Sequence, residues 1–252
     1  MSGESESTAA GRAARWPGVL AAVGLFLLVW LSCWYYKAAL VSWVAQPLVK
    51  AWPPELMGSS NLVYRGPNGL FAGYVWVCTA PALVTSVPLL TRTLMFRQRV
   101  PTLAFIGLSY AATALSFVYV RFCLTPPMLQ WMVSTARAWH SSGFGSVGYP
   151  LLDYLRLVTS VFAVQAIGAQ LAVVLLFSTI AERGRGQTRR RAALQLLGLS
   201  GAALLAGVLL TTPDLWSHFL FLLPLIALYA LATLAGRVFG KSSTAALVTS
   251  TT

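Results

Sequence analysis

Long apolar runs broken by short basic segments dominate the chain. A helix needs about 20 apolar residues to cross a bilayer core. Runs of that length predict six transmembrane helices, over residues 16–36, 70–90, 102–124, 155–180, 192–210 and 215–236. Pro81 and Pro88 fall inside the second run. A membrane helix tolerates proline where a neighbour satisfies the freed carbonyl. Only residues 211–214 separate the last two runs, which predicts a tight helical hairpin. The pattern divides the chain into a Ser/Gly/Ala-rich N-terminal tail (1–15), a six-span domain (16–236) and a C-terminal tail (237–252). The first run is too long for a cleavable signal peptide, and no small-residue cleavage site follows it.

Two segments between spans are long. Residues 38–68 contain a short interfacial helix, expected over 45–56 and ended by Pro53-Pro54. Residues 125–154 are rich in Trp, Met and Gly. Trp43, Trp52, Trp131 and Trp139 suit the headgroup layer, where an indole buries its ring and hydrates its N–H. These segments predict two structured caps on one end of an all-α bundle.

Composition agrees: 57% of residues are hydrophobic and 10% charged, against about 25% charged in an ordinary globular domain. This excludes a soluble enzyme. The net charge of +12 would suggest nucleic acid in a soluble protein. Here the basic residues lie between apolar runs and read as topology signals facing anionic lipid, with no role for nucleic acid. The two tails and the segments after spans two and four alternate correctly to share one side. They hold twelve Lys and Arg, against six on the other (Lys37, Lys50, Arg65, Arg121, Arg137 and Arg156). By the positive-inside rule both termini face the inner side.

All six acids (Glu4, Glu6, Glu55, Asp153, Glu182 and Asp214) lie in tails or between spans. An ion-driven transporter usually relays through carboxylates at mid-bilayer, so that class is disfavoured. Arg121 lies about one turn from the end of its span and reads as a snorkelling anchor. Gln165 and Gln170 lie in span four, about 140° apart around the helix. Interhelical hydrogen bonding is the plain reading of both. Cys33, Cys78 and Cys123 lie in different apolar runs without paired spacing. His140 and His218 have no Cys or carboxylate beside them. Neither set predicts a metal or another cofactor, and no nucleophile–base pair can be nominated.

The stretch from Gly207 to His218, Gly-Val-Leu-Leu-Thr-Thr-Pro-Asp-Leu-Trp-Ser-His, is followed by an apolar span containing Pro224. It resembles the last hairpin of TatC, the multispanning subunit of the twin-arginine protein translocase. Gln46-Pro47-Leu48-Val49-Lys50 is similar to the family's Pro-Leu motif in its first outer loop. Residues 71–99 resemble its second span and inner loop, and Ile167-Gly168-Ala169-Gln170 its fourth span. The resemblance implies a glove-shaped six-span bundle that moves folded proteins across an inner membrane without cofactors. It implies that Thr211, Pro213, Asp214 and His218 dock a partner helix, and that Pro47 and Leu48 form the outer-loop motif. It also places two signal-peptide glutamates of the family at Gln98 and Gln170, both amides here. A guanidinium pair wants bidentate anionic partners, so the expectation is a translocase with weakened twin-arginine recognition. Its partners would be single-span translocase subunits and lipids. The alternative is a TatC-derived structural subunit of a larger inner-membrane assembly, respiratory or ATP synthase. Loss of both glutamates leans the localisation toward a mitochondrial inner membrane over a bacterial cytoplasmic one.

Overall fold

A computed structural model describes residues 16–51, 66–95, 101–142, 151–181, 198, 201 and 215–249. These residues form helices only: α1 (Trp16–Tyr35), α2 (Lys37–Ala51), α3 (Gly66–Met95), α4 (Thr102–Tyr119), α5 (Thr125–Ser141), α6 (Leu151–Ala181) and α7 (Leu215–Thr249). A π turn, Val120–Leu124, joins α4 to α5. Five helical stretches are long and apolar enough to cross a membrane: Trp16–Tyr35, Phe71–Leu94, Thr102–Ala138, Leu151–Ser178 and Trp216–Leu234. The span expected over 192–210 and the hairpin turn after it lie outside the described residues, apart from 198 and 201.

The helices α3 and α6 form the centre. The first touches α1, α2, α4 and α6; the second touches α2, α3, α4 and α7. Packing in a bilayer depends on close fit and interhelical hydrogen bonds, because lipid tails are as apolar as leucine. The α1–α3 contact shows the fit. A Cβ at Gly18 would fall within the Thr93 side chain, so only glycine admits this approach. Farther along, Trp30 donates its ring N–H to Thr79 Oγ1 at 3.3 Å and stacks on Trp34 with centroids 5.1 Å apart. Lys37 Nζ then sits 4.3 Å from the centre of the Trp34 ring. Most other large side chains of α1, such as Leu20, Leu28 and Leu31, are exposed, as a lipid-facing surface requires.

Two segments differ from expectation. The helix expected over 45–56 runs instead from Lys37 to Ala51, with Pro47 inside it. A single turn residue, Tyr36, separates it from α1, and the ladder bridges that break: Leu40 N–H donates to Tyr36 O at 3.0 Å. The segment 125–154 begins as α5, continuous with span three. Thr102–Ala138 is 37 residues long, about 55 Å at about 1.5 Å per residue, against a hydrocarbon core of about 30 Å. The excess extends past the core. The π turn sits where Pro126 and Pro127 begin α5. Each proline ring would clash with the carbonyl four residues back, and neither has an N–H to donate. Widening the turn relieves that conflict. Thr125 donates both its backbone N–H and its Oγ1 hydroxyl, at 2.7 Å, to Val120 O.

The helices α2 and α5 close one end of the bundle, here the cap end. Its core joins Val41, Ala45 and Leu48 of α2 to Leu129 and Met132 of α5 and Leu155 of α6. The far end of α7 continues as helix to Thr249, through the segment expected as a tail.

Candidate functional site

Prolines in these spans leave carbonyls without helical partners, and side chains from other helices fill two of them, Val84 O and Leu220 O. Pro88 has no N–H, so Val84 O loses its helical donor. Gln170 Nε2 of α6 donates to that oxygen at 2.9 Å. The same nitrogen donates to Thr113 Oγ1 of α4 at 2.7 Å, while the Thr113 hydroxyl donates in turn to Ser109 O at 3.0 Å. One amide group therefore joins α3, α4 and α6. Both partners accept, so position 170 must donate twice. A primary amide does this; an ionised carboxylate accepts only. Gln170 is 2% exposed, and its Oε1 is buried without a hydrogen-bond partner among the described residues.

Pro224 of α7 likewise frees Leu220 O, and the Tyr119 hydroxyl of α4 donates to it at 2.6 Å. Three further tyrosines also join helices, at carbonyls that no proline frees. Tyr110 donates to Thr85 O at 3.0 Å, Tyr154 to Val44 O at 3.2 Å and Tyr229 to Gly168 O at 2.9 Å. At Gly168 a Cβ would lie 3.0 Å from Leu225 Cδ2, so the small residue sets how close α6 and α7 come.

Gln165 has a different setting. It lines an apolar groove of about 590 Å³ between α4, α6 and α7, alongside Leu115, Ala169 and Leu228. Its Oε1 is buried without a hydrogen-bond partner among the described residues. The two glutamines thus serve separate places, as their angular separation requires. Gln170 is sealed between helices, and Gln165 borders space that another apolar segment can enter.

Of the proposed partner-docking residues, His218 lies half-buried in the first turn of α7. Thr211, Pro213, Asp214 and Gln98 lie outside the described residues. Beside His218, Trp216 and Phe219 are exposed and stack with centroids 5.9 Å apart. Pro47 and Leu48 divide their roles. Leu48 is fully buried in the cap core. Pro47 lines a second cavity, of about 530 Å³, at the cap end. Arg121 lies against Trp43, its guanidinium carbon 4.6 Å from the ring centre. Trp43 in turn stacks on Phe117 at 5.4 Å. This fits the expected anchor, with an aromatic face holding the cation in place.

The tyrosine contacts have no motif and were not anticipated from the sequence. Proline was the available signal for the Tyr119 contact and for Gln170 alone, since no proline lies four residues after Thr85, Val44 or Gly168. Each span proline announces an orphan carbonyl, and a buried hydroxyl or amide on another helix is the natural donor.

A polytopic bundle of apolar helices, fastened by interhelical hydrogen bonds and open on one side as an apolar groove, defines an integral membrane protein with room for a further apolar segment. The chain belongs to the TatC family: residues 15–224 match Sec-independent protein translocase protein (TatC). Among curated proteins and among solved structures, none matches. The chain is accordingly a multi-pass membrane protein of a protein-translocase family that works with other membrane subunits.

Proposed function

We propose that the chain is the multispanning subunit of an inner-membrane translocase for folded proteins, with twin-arginine recognition weakened. The observation that carries this reading is the chemistry at Gln170. The resemblance assigns a glutamate there, for capture of a signal peptide. This chain has an amide with both N–H groups committed to Val84 O and Thr113 Oγ1. The second such position, Gln98, is also neutral and lies among Arg97 and Arg99. Like charges repel a guanidinium pair at close range. Cargo selection then rests on the apolar groove beside Gln165 and on partner helices docked at Thr211, Pro213, Asp214 and His218.

Restoring charge tests the site assignment. Gln98→Glu is expected to raise affinity for a synthetic twin-arginine peptide about 10-fold or more, whereas Gln170→Glu is expected to add nothing, because that side chain is sealed between helices. A hydrogen bond to a charged group contributes about 1.5–3 kcal/mol, against about 0.5–1.5 kcal/mol for a neutral one. Unchanged affinity in a Gln98→Glu variant that retains its melting temperature defeats the assignment.

The partner assignment is tested by native electrophoresis of mildly solubilised membranes, with mass spectrometry of every band holding the chain. Small single-span partners and cargo precursors in one modest band support the translocase. Stoichiometric residence in a respiratory or ATP synthase band supports the alternative, a TatC-derived structural subunit. The exposed Trp216–Phe219 pair favours a protein neighbour under either reading, since aromatic residues are enriched at interface cores. The mitochondrial inner membrane is the localisation proposed, on the loss of both glutamates, and fractionation of source cells checks it.

A further inference from the structure

The cavity at the cap end differs from the apolar groove in its lining. Lys50 of α2, Arg121 of the π turn and Arg137 of α5 border it, with the amides of Gln46 and Gln130, and no described lining residue is acidic. Lys50, Gln46 and Gln130 are exposed side chains, available to a ligand. Arg121 is held by Trp43, which costs it none of its hydrogen-bond donors, since the stacking uses its planar face. The lining therefore offers three cations and two amides to an anion, with apolar surface beside them at Leu129 and Val133.

Phe122 connects this cavity to the groove, because it lines both. It is 70% exposed, as is Leu115 two turns below it. From Phe122 the groove continues along α4 to Leu108. Fourteen residues at about 1.5 Å each give a length of about 21 Å. This exceeds half of a hydrocarbon core of about 30 Å, the depth of one leaflet. A free phosphate would use only the cationic end. A molecule with an anionic head and a long apolar tail matches both.

We infer that the cap-end cavity and adjoining groove bind an anionic phospholipid, its phosphate between Lys50 and Arg121 and an acyl chain past Phe122 along α4. The phosphate end rests on the cavity lining alone, and only the acyl chain shares the groove of the cargo reading. Failure of the lipid site would leave the translocase assignment intact.

The test uses the full chain in nanodiscs of equal phosphatidylglycerol and phosphatidylcholine, released and weighed by native mass spectrometry. The wild-type protein is expected to keep phosphatidylglycerol in preference to phosphatidylcholine. Lys50→Gln with Arg121→Gln is expected to weaken that preference about 30-fold, about 5-fold for each basic group. Arg156→Gln removes a cation that stacks on Trp76, outside the cavity. It is expected to leave the preference unchanged. Equal retention of both lipids by the wild-type protein overturns the inference without recourse to any variant. So does an equal loss in Arg156→Gln, which would mark general surface charge. A tenfold excess of inorganic phosphate should leave the lipid in place, and its displacement would identify a free-anion site instead.

Discussion

At the scale of single residues, buried polar groups in this bundle are specified by what they must donate or accept. Gln170 is the clearest case. Its nitrogen serves two acceptors, while its oxygen is buried without a partner among the described residues. Gln170→Leu removes both bonds, and the expected loss is about 1 kcal/mol, since single interhelical bonds average about 0.6 kcal/mol in a membrane reference state. Gln170→Glu is expected to be worse than Leu at neutral pH. An ionised carboxylate faces the lone pairs of Val84 O and Thr113 Oγ1 and is costly in a sealed, low-dielectric place. Thermal unfolding in detergent should rank wild type above Leu and Leu above Glu. A glutamate variant as stable as wild type would show that the amide's donor role at this position is dispensable. Gln170 was visible in the sequence as an intramembrane polar residue. Its partners were not, because Val84 and Thr113 lie 86 and 57 residues away along the chain.

At the scale of elements, proline and its replacement donor act as a coupled unit. Pro224 orphans Leu220 O, and Tyr119 caps it. Tyr119→Phe leaves that carbonyl without a donor, at an expected cost of about 1 kcal/mol. Pro224→Ala returns a backbone N–H to α7, so the carbonyl regains an intrahelical bond. In that background Tyr119→Phe should cost much less. The double-mutant cycle is expected to show a coupling of about 0.5–1 kcal/mol, within the range found for contacting residues. Additive effects would mean that the hydroxyl does not replace the missing donor. Proline also explains what the sequence misled about. Span three is expected to end at 124, yet helix continues through Pro126-Pro127, since proline is well placed in a first helical turn, where its missing N–H is an orphan anyway. The signal for α5 was present in the alternation of Met128, Leu129, Met132, Val133 and Ala136, all buried on one helical face. Abundant Trp and Gly around that segment hid it. By contrast, the apolar stretches of α1, α3, α4, α6 and α7 follow directly from hydropathy, because the bilayer demands length and apolarity in one unbroken run.

At the scale of the whole molecule, the asymmetry of charge remains to be matched to the fold. The cap end contains α2 and α5, with Lys50, Arg121 and Arg137 around one cavity. The opposite side collects twelve of the eighteen Lys and Arg in the sequence. The positive-inside rule counts short segments near span ends, and each of those four segments is short. It therefore predicts a cap end that faces outward, with the cationic cavity in the outer leaflet and the groove along α4 facing lipid. Reporter fusions decide this. Alkaline phosphatase fused after Ser142, at the end of α5, should be active, since the enzyme folds only outside the inner compartment. Fluorescent protein fused after Thr252 should be bright, since it matures inside. Neutralising Arg189, Arg190 and Arg191 should raise the share of inverted molecules, because those three residues are a quarter of the twelve basic residues on the inner side. Phosphatase activity at the C-terminus of the unaltered chain would reverse the assignment. It would turn the cap and its cavity toward the inner compartment, and Gln98 with its flanking arginines toward the outside, where no signal peptide awaiting export could reach them.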